Sequence, residues 1–354
     1  MSTLTSGIRR TDAARHAATL AAVAGAIHAG SAAGQEIAWD LLATTGPSPR
    51  YGSAFAFDSL RGSAVLFGGL GLGDTWEWDG AVWSQRATVG PSPRYKCGFA
   101  YDEARGVCVL FGGFLSGAGV LTGETWEWNG SSWSFRTGNG PSARCNLAMT
   151  YDAARHVCVI FGGAGSGAGG DTWEWDGNTW TFRTSLGPPS RQQHAMTYDV
   201  DRAVTVMFGG TPQSQLGDYG ETWEWNGATW LQRASTGAPS RWVHAMVYDR
   251  QRHRTVMFGG LHGYTALNDA WEWDGARWTA QPGRCETPVP RLYHSMAFDS
   301  TQGRSIMFGG VTFGNVELGD LWAYHASAVS CHPNCDCSTQ TPVLNVNDFA
   351  CCLS

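Results

Sequence analysis

Lysine is almost absent from this chain of 354 residues: Lys96 is its only lysine, and every other basic residue is arginine. Charged residues make up 15% of the sequence, and the formal net charge is −6. A basic surface of the kind that binds nucleic acid is therefore not expected. No apolar run is long and hydrophobic enough to span a bilayer, so no membrane span is expected either.

Glycine and tryptophan are what the chain has in quantity, with 47 and 18 residues. This content of aromatic residues is too high for a disordered chain, and this content of glycine is too high for a helical one. The length suffices for one large domain or two ordinary ones with a substantial core.

Residues 1–34 differ in composition from the rest. Three arginines, Arg9, Arg10 and Arg15, precede an alanine-rich stretch that ends in small residues near Ala33. This order resembles a secretory signal peptide, and the ten cysteines of the chain favour an oxidising compartment. The segment therefore predicts a protein that is secreted, or held at the cell surface or in the periplasm, after the peptide is removed. The alternative is a leader that stays attached.

Six copies of Phe-Gly-Gly divide the body of the chain, at 67–69, 111–113, 161–163, 208–210, 258–260 and 308–310. Each repeat opens on a proline-rich turn and an arginine, namely Arg50, Arg94, Arg144, Arg191, Arg241 and Arg291. After Phe-Gly-Gly comes a variable segment. Five of the repeats continue with Trp-Glu-Trp and then Asp-Gly or Asn-Gly. Self-similarity at a period of about 40–50 residues is typical of repeat architectures such as propellers.

Each repeat contains four short apolar segments separated by turn residues, which predicts four antiparallel strands, named A to D. The sixth repeat lacks strand D, whereas segment 37–42 resembles one and places Trp39 where the first repeat has Trp83. Pairing of this segment with strand C at 321–324 would protect both edges. The predicted fold is all-β: a six-bladed β-propeller of four-stranded antiparallel blades over residues 35–328, closed by an N-terminal strand that pairs with the last blade.

The repeats resemble those of the kelch family, in which a glycine doublet ends strand B and a tryptophan follows the turn after strand C. The resemblance covers residues 37–324, and the Thr-Trp-Glu-Trp-Asp-Gly form is similar to that of secreted bacterial members. Trp78 and its equivalents stand where many kelch repeats have tyrosine. The resemblance implies a domain that in most members is a binding platform and in a few is an enzyme.

Residues that recur in every repeat are expected to be architectural. The glutamate of Trp-Glu-Trp faces an arginine on strand D in four repeats, whereas Glu272 lacks that partner and is a candidate for a catalytic carboxylate. The six repeat arginines form either a ring that holds a carboxylated or sulfated ligand or, as we favour, ties within the blades. His194, His244 and His294 occupy matching places. We expect satisfied core histidines there rather than a metal site, because equivalent residues of neighbouring blades lie too far apart for one ion.

Function is expected where the repeats differ, in the segments between strands B and C at 70–73, 114–123, 164–170, 211–220, 261–269 and 311–319, because variable loops on a rigid scaffold commonly carry recognition. The candidate ligand-binding residues are Trp242, Tyr219, His262, Tyr264, Asn268, Phe313, Asn315, Arg241 and Arg291. Packing within the loops is the alternative for each of them.

Cysteines fall into two groups. Cys97 with Cys108, and Cys145 with Cys158, lie on or beside adjacent strands and are candidate disulfides, and Cys285 is a candidate partner for Cys331. The others belong to a cysteine-rich tail at 329–354, which resembles the calcium loop of dockerin and EF-hand-like modules. Its candidate calcium ligands are Asn334, Asp336, Ser338, Asn345 and Asp348. A cysteine-stapled tail or a truncated anchoring module is the alternative.

These observations predict a secreted, monomeric kelch-type propeller. It is expected to bind a glycan or protein through the B–C loop face, with no catalytic residues and no cofactor in the propeller. The alternative is a secreted carbohydrate-active enzyme with its site at the channel mouth. A third interpretation is a surface-assembly component attached through the tail.

Overall fold

The computed structural model describes residues 36–214, 217–282 and 287–327, and the regular structure in these ranges is entirely β-strand. The predicted signal peptide (1–34), the predicted calcium-binding tail (329–354) and Cys285 lie outside the described residues. No helix in the described part of the chain is long and apolar enough to cross a membrane.

The strands follow the repeats of the sequence. The strand β1 (Glu36–Ala43) precedes the first repeat. The first two repeats contain β2 (Ala54–Asp58), β3 (Ser63–Gly69), β4 (Leu72–Trp78), β5 (Trp83–Ala87), β6 (Arg94–Tyr95), β7 (Gly98–Asp102), β8 (Val107–Phe111), β9 (Phe114–Leu115), β10 (Val120–Leu121), β11 (Thr125–Trp128) and β12 (Trp133–Thr137). The third and fourth contain β13 (Ala148–Asp152), β14 (Val157–Phe161), β15 (Thr172–Trp175), β16 (Trp180–Thr184), β17 (Ala195–Asp199), β18 (Val204–Phe208), β19 (Thr222–Trp225) and β20 (Trp230–Ala234). The last two contain β21 (Ala245–Asp249), β22 (Arg254–His262), β23 (Thr265–Trp273), β24 (Trp278–Gln281), β25 (Ser295–Asp299), β26 (Arg304–Val311) and β27 (Glu317–Ser327).

Antiparallel sheets of four strands recur along the chain. Five of them are built from consecutive parts of one repeat: β2 to β5, then β7, β8, β11 and β12, then β13 to β16, β17 to β20 and β21 to β24. In a further sheet, β25, β26 and β27 are joined by β1, and Trp39 lies opposite Tyr324 as Trp83 lies opposite Trp78. This repeated all-β pattern is that of a propeller-type fold.

A seventh sheet in the described residues was not expected from the sequence. It consists of β6, β9 and β10. Segment 114–123 of the second repeat, predicted as a loop, folds back so that Phe114 and Leu115 pair with Tyr95 and Arg94. A variable segment carries no periodic pattern of its own, so its pairing with the start of the same repeat leaves no signal in the sequence.

The sheets pack face to face through their first strands. The strand β2 contacts β7, β7 contacts β13, and the contacts continue through β17, β21 and β25, which in turn contacts β2. Both faces of these strands are largely apolar, because each sheet has a neighbour on either side. The second strands lie deepest: Leu66, Leu110, Ile160, Met207, Met257 and Met307 are fully buried.

Tryptophans join neighbouring sheets by hydrogen bonds as well as by packing. The Nε1 of Trp180 donates to Thr125 Oγ1 of the preceding sheet at 2.8 Å, and the Nε1 of Trp175 donates to Glu127 Oε1 at 3.2 Å. Equivalent tryptophans at Trp133, Trp230 and Trp278 repeat the bond to threonine. The repeat tryptophans are therefore architectural, as their recurrence predicts.

Phe-Gly-Gly recurs because the next sheet leaves no room for a side chain. A Cβ on Gly209 would lie 2.3 Å from the carbonyl oxygen of Arg241, and the φ of this glycine is +70°. The following glycine, Gly210, donates its N–H to that same oxygen at 2.8 Å. The doublet therefore lets two backbones meet at hydrogen-bonding distance.

The predicted disulfides of the first cysteine group are absent: Cys97, Cys108, Cys145 and Cys158 are all free thiols. The strand register explains why. Cys108 lies opposite Tyr101, four residues along the chain from Cys97, which is about 13 Å in an extended strand. A disulfide requires Cα atoms within about 7 Å. The prediction required only that the two cysteines lie on or beside adjacent strands. That condition does not bring their Cα atoms within reach of a disulfide.

Candidate functional site

The six repeat arginines are structural ties rather than ligand-binding groups. Arg144, which has no exposed surface, donates Nη1 to Asp171 Oδ1 at 2.7 Å and Nη2 to Asp171 Oδ2 at 2.8 Å. Its Nη1 also donates to the carbonyl of Gly162 at 3.1 Å. Every repeat arginine has a carboxylate partner, in chain order Asp74, Glu124, Asp171, Glu221, Asp269 and Asp320. The interpretation favoured from the sequence therefore holds.

Arg241 and Arg291, which the sequence analysis included among the ligand-binding candidates, share this arrangement. Both are completely buried, and both donate to two oxygens of one carboxylate at 2.7–2.8 Å, that of Asp269 and that of Asp320 respectively. Burial alone would raise the pKa of Asp269, but the Arg241 guanidinium outweighs it and holds that pKa below its ordinary value. We therefore leave both arginines out of the candidate site.

Glu272 has partners that sequence comparison of the repeats could not reveal. Arg252 forms an ion pair with its carboxylate, and the hydroxyl of Tyr324 donates to its Oε1 at 2.7 Å. Tyr324 occupies the place of a repeat tryptophan, which donates to the same glutamate position elsewhere. Glu272 lacks an arginine on strand D, as the sequence indicates, but these two partners tie its carboxylate into the framework.

His194, His244 and His294 are buried, as expected, but they are not satisfied. Each ring packs edge-on against a phenylalanine at 5.5–5.8 Å between centroids. The ring nitrogens have no well-formed hydrogen bond, although His194 and His294 each have a weak contact with the backbone of that phenylalanine. Burial first, and the neighbouring arginine second, lower the pKa of His194 and of His294 to about 3. The described residues contain no group of three metal-ligating side chains close enough to hold one ion.

A cycle of backbone hydrogen bonds lies where the sheets begin. The residue two positions after each repeat arginine donates its N–H to the carbonyl of the equivalent residue in the preceding repeat, at 2.8–3.0 Å. The members of this central cycle are Gly52, Lys96, Asn146, Gln193, Val243 and Tyr293, and Gly52 donates to Tyr293. All six have φ between +52° and +64°.

Five members of the central cycle are not glycine, so the cycle stores strain. A non-glycine residue in this left-handed region costs roughly 1–3 kcal/mol, and a β-branched residue such as Val243 is rare there. The six cyclic hydrogen bonds hold the residues in this conformation. Strain of this kind is concentrated at functional sites, which directs attention to the side chains that the cycle carries.

Side chains from distant repeats converge on Tyr293. The Nζ of Lys96 lies 4.3 Å from the centroid of the Tyr293 ring and 5.1 Å from that of Tyr95. The Nε2 of Gln193 lies 2.6 Å from the Tyr293 hydroxyl, and the Tyr51 ring lies 5.8 Å from the Tyr293 ring. We call Tyr51, Tyr95, Lys96, Gln193 and Tyr293 the central cluster. Burial lowers the pKa of Lys96.

The central cluster was not among the site residues predicted from the sequence. Three of its members, Lys96, Gln193 and Tyr293, belong to the central cycle. The position of the cycle, the second after each repeat arginine, holds six different residue types in a register where most residues recur. That variation, together with the use of the only lysine of the chain, was an available signal. The sequence pattern could not show that residues about 100 positions apart, such as Gln193 and Tyr293, are in contact.

The most exposed of the predicted candidates lie at the tips of the segments that link strands B and C. Tyr264 is 90% exposed and Phe313 is 59% exposed. Segment 261–269 was predicted as a loop, but β22 and β23 continue through it to a two-residue turn, because His262 pairs directly with Thr265. Tyr264 is thus presented on a hairpin rather than on an irregular loop.

Trp242 and Tyr219 are more deeply anchored than Tyr264 and Phe313. Trp242 is half-buried, and its backbone pairs with that of Leu261. The ring of Tyr219 stacks on the buried guanidinium of Arg191, 4.1 Å from its Cζ. The remaining three, His262, Asn268 and Asn315, are exposed. The structure places these residues at one end of the sheets without bringing them into a single contact group.

Neighbouring B–C segments are joined to each other. The hydroxyl of Ser116 accepts from Gly71 N–H at 3.0 Å, and Asp218 Oδ2 accepts from Gly263 N–H at 2.7 Å. Strand A begins, strand B ends and strand C begins at the same end of each sheet, so these segments and the central cycle share one end. We call the B–C segments of the described residues together the loop face.

Comparison with known proteins establishes the type of fold. No known family profile matches the chain, and no curated protein matches it in sequence. Among solved structures, the one titled "Structure of YjhT" superposes with a TM-score of 0.63 at 15% identity, covering 78% of this chain and 94% of that one. At this identity the likeness establishes a shared propeller-type fold alone.

Proposed function

We propose that the chain is a six-bladed propeller of kelch type, closed by β1, whose loop face binds a glycan or protein ligand without chemistry of its own. The cyclic order of contacts between first strands, the central cycle and the pairing of β1 with β27 support closure. The absence of edges between the first and last blades would make the scaffold rigid, which suits the presentation of loops.

One observation carries the binding proposal: several large apolar side chains are exposed on the loop face. They come from four repeats, at Leu70 (42%), Val120 (51%), Tyr264 (90%), Phe313 (59%) and Val316 (60%). Exposed apolar groups gathered on one end of a protein are typical of interaction surfaces. Aromatic rings with polar neighbours such as His262 and Asn315 suit either the face of a sugar ring or a protein surface.

The alternative of a carbohydrate-active enzyme has less support. The carboxylates that recur in the repeats are bonded to arginine or tyrosine, as at Asp171 and Glu272. A general acid or base must be free to reach the substrate. The enzyme proposal would need a reactive group among the loop-face residues, and turnover of any glycan that binds would establish it.

Export and calcium binding remain parts of the proposal that rest on sequence. Residues 1–34 support removal of a signal peptide, and the oxygen ligands from Asn334 to Asp348 support a calcium-binding tail that resembles dockerin modules. Comparison of binding with and without calcium separates a tail-dependent function from a function of the loop face.

A broad glycan array tests the proposed function, with the full chain applied in calcium and in chelator. We expect binding to a restricted set of glycans, reduced at least tenfold by Tyr264→Ala because a central aromatic anchor commonly contributes most of the binding free energy. Leu60→Ala, which removes a side chain 72% exposed in the turn between β2 and β3, is the matched control and should bind as the wild type does. Equal binding by both variants would contradict the role given to the loop face. A blank array would direct the search to protein partners by affinity capture with the same two variants.

A further inference from the structure

Lys96 differs from the other cations near the central cycle in having no carboxylate beside it. The six repeat arginines are each neutralised by a carboxylate partner. Within the ranges that the structure describes, Lys96 forms no ion pair, and its amine faces the rings of Tyr95 and Tyr293 instead. The Cys145 thiol also lies near this amine, but Cys145 is buried and its pKa is raised by that burial, so it does not act as a carboxylate would. A half-buried ammonium group without a carboxylate partner keeps its attraction for an anion.

Gln193 supplies a second, independent sign of a missing partner. Its side chain is 9% exposed; one end of its amide contacts the Tyr293 hydroxyl, and the other end, buried, has no hydrogen-bond partner. Since amide oxygen and nitrogen exchange places by rotation, the free end is an acceptor in one orientation and an NH₂ donor in the other. An unpaired buried amide is costly, so a ligand that bonds to it gains free energy.

The two unsatisfied groups meet at the same tyrosine. Lys96 approaches the face of Tyr293, Gln193 approaches its hydroxyl, and Tyr51 packs beside the same ring. The surroundings thus offer one positive charge, one amide and aromatic walls. A single charge suits a monoanion better than a phosphate dianion, and ring faces suit a planar or ring-shaped body.

We propose that the central cluster is a binding site for the carboxylate group of a small, ring-shaped molecule. Lys96 pairs with the carboxylate, the rotated Gln193 amide donates a hydrogen bond to it, and Tyr95 and Tyr293 pack against the ring. The site is separate from the apolar tips of the loop face, and it does not depend on which ligand those tips bind.

The single lysine makes the site directly observable. Reductive methylation with ¹³C-formaldehyde labels Lys96 and the chain amino terminus only, and the dimethylated amine keeps its charge. The Lys96→Met variant assigns the lysine signal by its loss. Benzoate is expected to shift that signal in a saturable way, whereas benzamide, which has the same ring and no charge, leaves it in place. Equal shifts with both compounds, or none with benzoate, would overturn the proposal.

Calorimetric titration of the unlabelled protein provides the second readout. Lys96→Met should weaken benzoate binding at least tenfold, and Gln193→Leu should weaken it several-fold. Tyr264→Ala, on the hairpin tip, should leave the benzoate affinity unchanged while it reduces binding on the glycan array. Thermal melting of each variant shows that it is folded. If Lys96→Met is folded and binds benzoate as tightly as the wild type, the assignment of the site is wrong.

Discussion

Replacement of Arg144 by methionine is expected to lower the free energy of unfolding by about 3–5 kcal/mol, because it breaks a buried ion pair and leaves one charge without its partner. Asp171, which the guanidinium holds in two hydrogen bonds, would remain in a half-buried place. The carbonyl of Gly162 would lose a donor as well. Urea denaturation of the full chain gives the measurement.

Arg136 provides the control. It also forms an ion pair with a glutamate, Glu127, but its side chain is 39% exposed, and the atoms are 3.4 Å apart. Arg136→Met should therefore cost at most about 1 kcal/mol. The double variant Arg144→Met/Asp171→Leu should recover part of the loss, because it removes the stranded charge. Similar losses from Arg144→Met and Arg136→Met would mean that the repeat arginines are not the ties described above.

Acid is expected to unfold the protein through His194, His244 and His294. In the unfolded chain a histidine has a pKa near 6.5, whereas burial lowers the folded pKa of His194 and of His294 to about 3. The pKa of His244 is also lowered, by burial first and then by Arg241 and the other two histidines. Above pH 6.5 the three histidines are uncharged in both the folded and the unfolded state, so they do not make the free energy of unfolding depend on pH. Below it only the unfolded chain takes up protons, and stability falls by up to about 1.4 kcal/mol per pH unit for each histidine.

Denaturation between pH 6.5 and 4.5 isolates this effect. In this window the carboxylates that pair with arginine, such as Asp171 and Asp320, keep their charge because their pKa lies below its ordinary value. The third repeat already has Leu147 at the histidine position, so the variant His194→Leu/His244→Leu/His294→Leu is a natural comparison. We expect its stability to change far less with pH than that of the wild type. His253→Leu, which alters a histidine 64% exposed, is the comparison for loss of a surface histidine. A triple variant with the slope of the wild type would contradict the account.

Most of the strands and turns could be predicted from the sequence, because their patterns recur in several repeats. Alternating apolar residues, the Asp-Gly and Asn-Gly turns and the place of Trp39 ahead of the first repeat identify the strands and the partner of β27. The structural role of each repeat arginine could also be predicted, since a residue present in all repeats is more often structural than ligand-binding. The partner of Glu272 was missed, because Tyr324 departs from the tryptophan of the other repeats.

The rest depends on contacts that no repeat pattern encodes. The cysteine pairs failed because strand adjacency does not fix which residues lie opposite, as the pairing of Cys108 with Tyr101 shows. The seventh sheet and the hairpin that carries Tyr264 arise in variable segments, where the length of a strand is decided by tertiary pairing. The central cluster depends on a tertiary contact between Lys96 and Tyr293, which lie in the second and sixth repeats.

Radical footprinting with mass spectrometry tests most directly whether the ligand contacts the loop face. Hydroxyl radicals oxidise exposed aromatic and leucine side chains, so Tyr264, Phe313 and Leu60 all report in one experiment on the full chain. With the ligand that the array or affinity capture identifies, we expect protection of Tyr264 and Phe313 and none of Leu60. If the ligand instead protects Leu60 while Tyr264 and Phe313 are oxidised as before, binding takes place at the opposite end of the sheets. That result would contradict the proposed function.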